Sequence, residues 1–287
     1  MIYFSDAELD AFLLEDVYRG DITTRSLGIG NVPSKIVFNR KNSGRVAGVY
    51  IAQALLVKLG LDVTLFVDDG NDVKAGTTLI EAKGSGERIQ QAWKVVQVIL
   101  EWCCGVAQYT AEMVASVKSI NQNAIVACTR KTIPGTRKLA TVAVLAGGGR
   151  IHRAGLSESV LVFTNHRNLL ENPDDWASQV SNIRRNNPEI KVTVEADNLE
   201  MVREQVLAKP DIIQLDKFST NDVLVAQKLV EESGYPIQLS IAGGVNKSNA
   251  VEFARTGVPL FITSAPYYAG PDDIKVLITP ELIKPMS

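Results

Sequence analysis

The chain has 287 residues, 46% of them hydrophobic and 22% charged, which suits one large domain plus a smaller one and excludes disordered, collagen-like and coiled-coil classes. A formal net charge of −2 argues against a general nucleic-acid binder. The acidic opening, 1–21, lacks a basic start followed by an apolar stretch, and apolar runs such as 142–146 are far too short to cross a bilayer, so neither a secretory signal nor a membrane span is expected.

In chain order, an amphipathic helix is expected over 6–16, then a turn at 19–21. Strands follow near 35–40 and 45–49, a helix over 51–59, and further strands near 63–67 and 77–81. Gly70, Gly76, Gly84 and Gly86 punctuate this part as turns. A helix over about 88–101 closes it, giving an α+β domain with an antiparallel sheet. The cysteines, Cys103, Cys104 and Cys128, lack metal-ligand spacing, which fits plain thiols in a reducing cytoplasm. With two histidines in the chain, a zinc site is not expected.

From Tyr109 onward short apolar strands alternate with helices. The strands are expected at 125–128, 159–163, 192–195, 212–215, 237–241 and 260–263. The helices fall near 110–120, 138–146, 174–186, 198–208, 221–232 and 247–255. Such alternation implies a parallel sheet with right-handed crossovers, closed into an α/β barrel of fewer than eight strands or left open and doubly wound. No G-x-G-x-x-G follows the first strand, which weakens a dinucleotide fold.

Polar residues gather where these strands end, the edge at which barrel enzymes carry their chemistry. In order they are Thr129, Arg130 and Lys131; Thr164, Asn165 and His166; Glu195 and Asp197; Asp216 and Lys217; Gly243 and Gly244; and Ser264. Helix N-caps favour some of the same residue types, so any one coincidence carries little. Between Met113 and Ser157 there is no acidic residue, yet Lys118, Arg130, Lys131, Arg137, Lys138, Arg150, His152 and Arg153 all occur. A cationic pocket of that kind suits phosphate or carboxylate groups, while Arg137 and Lys138 at a helix start could equally be a solvated face. Gly147–Gly149 allow close backbone approach, with Gly147 a candidate helix C-cap. The 242–245 loop offers amides to a phosphate. Glu195 and Asp216 could hold Mg²⁺ through water, hydrogen-bond ribose hydroxyls, or balance buried arginines. His166 could be a structural hydrogen-bonder.

Thr129-Arg130-Lys131-Thr132-Ile133-Pro134-Gly135-Thr136-Arg137, followed by Gly147-Gly148-Gly149 and His152-Arg153, resembles the central signature of the quinolinate phosphoribosyltransferase family. So do Glu15-Asp16 with Gly20-Asp21-Ile22-Thr23, Asn165-His166, Glu195 with Asn198, Leu215-Asp216, and Gly243-Gly244. The resemblance implies an N-terminal α/β sandwich domain, 1–108, on an incomplete α/β barrel of the type II phosphoribosyltransferase kind, 109–270, with 271–287 packing on the first. It implies phosphoribosyl pyrophosphate with Mg²⁺, and homodimers in which one copy's N-terminal domain covers the other's site. Carried over residue by residue, Arg130, His152 and Arg153 bind the aromatic acid. Lys131, Glu195 and Asp216 form the catalytic set, with Glu195 and Asp216 addressing ribose and metal. Ala242, Gly243, Gly244 and Ser264 bind the 5′-phosphate.

The departures fall mainly in the acid-binding half. Lys94 stands where the family has the arginine that reaches the neighbour's acid, and Phe163 where it has a lysine. Ser240-Ile241-Ala242 replaces Glu-Ser-Ser, and Tyr268 replaces the histidine that ends Gly-x-x-x-His. With Thr-Ser-Ala-Pro-Tyr-Tyr over 263–268, this combination resembles the ModD branch of the family, whose members are associated with molybdenum transport operons. The main expectation is transfer of phosphoribosyl to quinolinate or a related aromatic carboxylate. Two others are a non-catalytic protein that binds molybdate or a phosphorylated effector, and a Schiff-base enzyme using Lys131, for which no apolar setting depresses the lysine pKa.

Overall fold

The structure, a computed structural model, describes residues 2–281. In chain order its elements are helices α1 (Asp6–Asp16) and α2 (Ile22–Leu27), strands β1 (Pro33–Arg40) and β2 (Gly44–Arg45), helix α3 (Val49–Lys58), strands β3 (Asp62–Leu65), β4 (Asp72–Val73) and β5 (Thr78–Ser85), and helix α4 (Gly86–Ile120). Then come β6 (Ile125–Cys128), α5 (Arg137–Ala146), β7 (Arg150–Ile151), β8 (Val160–Val162), α6 (Thr164–Arg167), α7 (Trp176–Asn186), β9 (Val192–Ala196), α8 (Leu199–Ala208), β10 (Ile212–Asp216), α9 (Thr220–Ser233), β11 (Gln238–Ala242), α10 (Ala250–Ala254), β12 (Leu260–Thr263) and β13 (Ile274–Pro280). The described residues within Met1–Ala111, Pro134–Gly148 and Tyr267–Ser287 form one compact unit, and those within Glu112–Ile133 and Gly149–Pro266 form another. No helix among the described residues is long and apolar enough to cross a membrane.

In the first unit, Ser5 starts α1 with a reciprocal cap: Glu8 accepts from the Ser5 amide at 2.8 Å while the Ser5 hydroxyl accepts from the Glu8 amide at 3.3 Å. Exposed Lys138 pairs with Glu8 at 2.5 Å, tying α5 to α1, so this lysine lies on a solvated face and makes a surface ion pair there. An antiparallel sheet in the order β13-β1-β5-β3 forms the core, with α3 packed on β3 and β5. Alternate residues of β1, namely Ser34, Ile36, Phe38 and Arg40, are buried. Arg40 is fully buried and donates to Asp272 at 2.5 Å, which fixes the chain just before β13 against the end of β1. Residues 274–280 therefore join this sheet as β13, and 282–287 of the expected C-terminal segment lie outside the described residues.

The strand expected over 45–49 is corrected. Only Gly44–Arg45 pairs, and the helix begins at Val49, because Gly48 takes a left-handed φ of 90° and Asp69 accepts from the Val49 amide at 2.9 Å. The two helices expected either side of Gly105 are one. Ile89, Ala92, Val96, Leu100, Cys103, Ala107, Thr110, Met113 and Val117 are all buried, a stripe at helical spacing that runs through the glycine without a break. Gly105 is a packing glycine: a Cβ there would lie 2.2 Å from the Gly270 carbonyl oxygen.

The second unit is a seven-stranded sheet in the order β7-β6-β12-β11-β10-β9-β8, with every adjacent pair parallel. Strands β8 to β12 are laid down side by side, and β12 returns beside β6, so the sheet curls into a half-barrel whose free edges are β7 and β8. That bears out the incomplete barrel and displaces the open doubly wound sheet. Val192, Val194, Ile213, Leu215 and Ile241 form near-continuous apolar runs, as strands covered on both faces require. Short β7 lay outside the sequence expectation because two residues carry no periodicity.

Ala exceeds Gly in helix propensity by about 1 kcal/mol, but overpacking against fixed backbone costs about 1–3 kcal/mol. Gly105→Ala is therefore expected to lower stability, as measured by urea unfolding; an unchanged or higher midpoint would show that the Gly270 crossing is loose.

Candidate active site

Parallel pairing sends all seven strands of the second unit in one direction, so their carboxyl ends share an edge. Register sets the rows beneath it. Glu195 pairs with Gln214, and Gln214 with Ser240; two residues further on, Asp216 pairs with Ala242. Because side chains alternate along a strand, these positions share one face. The Gln214 amide donates to Glu195 at 2.7 Å. Buried Gln214 Oε1 and Ser240 Oγ have no protein partner.

At one end of this edge lie the cations. The Thr129 hydroxyl meets Ser264 at 2.5 Å, and the Lys131 amide donates to Thr129 at 3.1 Å, locking the ends of β6 and β12 together. The His152 amide donates to the Cys128 carbonyl at 2.8 Å, which carries His152 and Arg153 on from β7 to the same edge. Burial, then Arg153, holds the His152 imidazole below its usual range, so it is neutral near pH 7. Arg153 is 7% exposed, and among the described residues it makes no hydrogen bond and no ion pair. Its guanidinium lies 5.4 Å from the centre of the Phe163 ring. Burial and neighbouring Arg130 lower its pKa, and Glu195 opposes them.

Phe163 ends β8 with its ring stacked on His166, centres 5.5 Å apart, while its amide donates to His166 Nδ1 at 3.0 Å. His166 is thus a structural hydrogen-bonder. Asn165 is exposed.

Glu195 carries the largest perturbation at this edge: burial first, then Asp216, push its carboxyl up to about 7, with Gln214 and Lys131 opposing. Asp216 is joined by Lys217 at 3.3 Å, and Lys217 itself holds a left-handed φ of 60°. Gly243, at φ 78°, passes so close that a Cβ would meet Asp216 Oδ1 at 2.5 Å and the Lys217 amide nitrogen at 2.6 Å, which only glycine permits. Gly244 follows at φ 86°, and its carbonyl accepts from the side-chain amides of Asn246 and Asn249 at 2.9 and 3.0 Å. The amides of Gly243 and Gly244 have no backbone acceptor among the described residues. The result is a narrow, preformed loop with amides to spare.

The edge therefore brings together Arg130, Lys131, His152, Arg153, Phe163, Glu195, Asp216, Ala242, Gly243, Gly244 and Ser264. Lys94 and Tyr268 belong to the first unit. Lys94 lies 4.0 Å over the Trp93 ring and donates to Gln97 at 2.8 Å, and Tyr268 is 72% exposed. Gly147 ends α5 in right-handed geometry and Gly148 takes the left-handed turn; a Cβ at Gly147 would strike the Ala107 carbonyl oxygen at 2.6 Å. Asn198 and Ser219 accept from Met201 and Asp222 amides, so these strand-end polar residues are helix caps. Sequence reasoning missed Gln214, and met Ser240 only as a departure from the family's motif, because their in-strand positions read as ordinary alternation until register aligned them with Glu195.

Sequence patterns described as quinolinate phosphoribosyl transferase, N-terminal and C-terminal domains, match residues 21–104 and 106–277. A relative from Pasteurella multocida carrying the name pyrophosphorylase ModD is 59% identical, over 97% of this chain and 99% of its own. The nicotinate-nucleotide pyrophosphorylase (carboxylating) of Mycobacterium leprae is 30% identical over 91% and 94%. The crystal structure of nicotinate-nucleotide pyrophosphorylase from Ehrlichia chaffeensis superposes with a TM-score of 0.87 at 25% identity, over 97% of this chain and all (100%) of that one.

A carboxyl raised from 4.5 to about 7 favours the protonated folded state. Its stabilising contribution is complete below about pH 4.5 and is lost as pH rises through about 7. Glu195→Gln should remove that decline, leaving urea midpoints at pH 5 and pH 8 closer together than in wild type; equal pH slopes in both proteins would contradict it.

Proposed function

Because the chain belongs to the quinolinate phosphoribosyltransferase family, we propose that it transfers the phosphoribosyl group of phosphoribosyl pyrophosphate to the ring nitrogen of an aromatic carboxylate and releases pyrophosphate. The observation that carries this reading is one strand edge that bears cations after β6 and β7, Arg130, Lys131 and Arg153, then the Gly243–Gly244 loop after β11, then the carboxylates of β10 and β9, Asp216 and Glu195.

Each part has a task. Arg130 and Arg153 bind the acceptor's carboxylate, and neutral His152 hydrogen-bonds it. Lys131 bridges the acid and the phosphates. Amides of Gly243 and Gly244, with Ser264 beside them, hold the 5′-phosphate. Glu195 and Asp216 face the ribose, where hydrogen bonds to its hydroxyls orient the anomeric carbon and their charge stabilises an oxocarbenium-like transition state. The reaction needs no protein nucleophile, so positioning and electrostatics supply the catalysis.

The donor set fits magnesium in one way. Among the described residues no three His, Cys, Asp or Glu converge as a metal cage, while Glu195 and Asp216 offer two hard oxygen donors. Magnesium commonly uses one or two carboxylates with water and phosphate oxygens, and when bound here it would neutralise pyrophosphate charge. The working form is a cytoplasmic homodimer in which a second copy supplies Lys94 to the acid.

With phosphoribosyl pyrophosphate, Mg²⁺ and a panel of pyridine carboxylates, pyrophosphate release is expected, abolished by EDTA and lowered about 100-fold or more by Asp216→Ala. No release with any acid would sink the reading. Saturable molybdate binding without turnover would favour an oxyanion carrier on the same fold.

Mixing inactive Lys94→Ala and Asp216→Ala proteins is expected to restore part of the activity if sites are shared between copies; mixtures as inert as their components would show that each copy works alone.

A further inference from the structure

Arg153 is the one strand-end cation that is nine-tenths buried and, among the described residues, lacks both a hydrogen bond and an ion pair. Its environment decides what it can take. The guanidinium carbon stands 5.4 Å from the Phe163 ring centre, and the other neighbour of that ring is His166, stacked at 5.5 Å. A guanidinium beside an aromatic ring can still offer its N–H groups to a planar carboxylate. Glu195 contributes negative charge on the neighbouring strand, and Gln214 and Ser240, next in the same row, are neutral. At the end of β8 an aromatic ring, held between Arg153 and His166, fills the space where a further cation could stand.

A second carboxylate on the acceptor directed toward β8, away from Arg130 and Lys131, would meet the Phe163 ring or the Glu195 carboxyl. Neither carries a positive charge to compensate its desolvation. From the orphaned Arg153 and the ring wedged beside it, we propose that Phe163 is the specificity-determining residue of this site and that the acceptor is a planar nitrogen heterocycle bearing a single carboxylate. This rests on the phosphoribosyl-transfer reading. The ring-nitrogen lone pair forms the bond to the anomeric carbon, the bond from that carbon to the pyrophosphate oxygen breaks, and pyrophosphate leaves with the electron pair. The carboxylate is retained and no CO₂ is released.

The test pairs binding with turnover. Nicotinate and quinolinate are titrated into the full-length protein by calorimetry, and kcat/KM is measured for each with phosphoribosyl pyrophosphate and Mg²⁺. Nicotinate should be preferred by about tenfold or more in both measurements. Phe163→Lys should cut that preference by about tenfold, with Phe163→Leu, which adds no charge, leaving quinolinate poor. Thermal unfolding of both variants separates lost folding from altered choice. Preference for quinolinate in the wild-type protein, or CO₂ released in step with pyrophosphate, overturns the proposal. If neither acid is turned over, the panel of acids decides the transfer reading separately; nicotinate-selective binding that Phe163→Lys erases would still uphold the selectivity, and equal binding of both acids would overturn it.

Discussion

A largely buried guanidinium with no hydrogen bond and no ion pair among the described residues, that of Arg153, is the constraint around which this site is arranged. Burying an unpaired cation costs several kcal/mol, and the chain recovers only part of that from the Phe163 ring face and from distant Glu195. Such a cost is retained where a ligand supplies the missing charge, since sites poised for binding sacrifice stability. The neighbouring strands carry the converse strain. Glu195, pressed by Asp216, has its carboxyl pushed up to about 7, a second group whose charge is stabilised only when something cationic or hydrogen-bonding approaches. Excess positive charge after β6 and β7 and excess negative charge on β9 and β10 match a substrate pair that combines an acid with a polyhydroxylated sugar.

The curled parallel sheet makes this possible. Register places Glu195, Gln214 and Ser240 in one row and Asp216 with Ala242 in the next, so groups from separate strands converge without any long loop to hold them. Gly243 then closes on Asp216 too tightly for any side chain, making the loop geometry a consequence of backbone packing. Rigid elements of this kind hold reacting groups better than flexible segments do.

Much of this was legible in the sequence. Strand–helix alternation gave the parallel sheet, and the polar residues at strand ends marked its working edge, because the period of apolar residues records which positions face the core. The 129–153 signature identified the family before any fold was seen. Three things were hidden. The role of Gly105 inside α4 depended on the Gly270 backbone passing close to it, a tertiary contact with no local signal. The role of Lys138 depended on Glu8, far away in sequence. The Glu195–Gln214–Ser240 row needed inter-strand register, which periodicity alone does not supply. Conversely, Asn198 was part of the family resemblance and serves as a helix cap, since helix starts and strand ends coincide in this fold.

The central claim is that Arg153 is held buried and unpaired for an incoming carboxylate. Arg153→Met, which keeps the side chain's length and removes its charge, tests it most directly when urea stability and nicotinate binding are measured on the same protein. The account predicts higher stability, by about 1 kcal/mol or more, together with loss of acid binding. A variant that is less stable, or that binds the acid as well as wild type does, would contradict it.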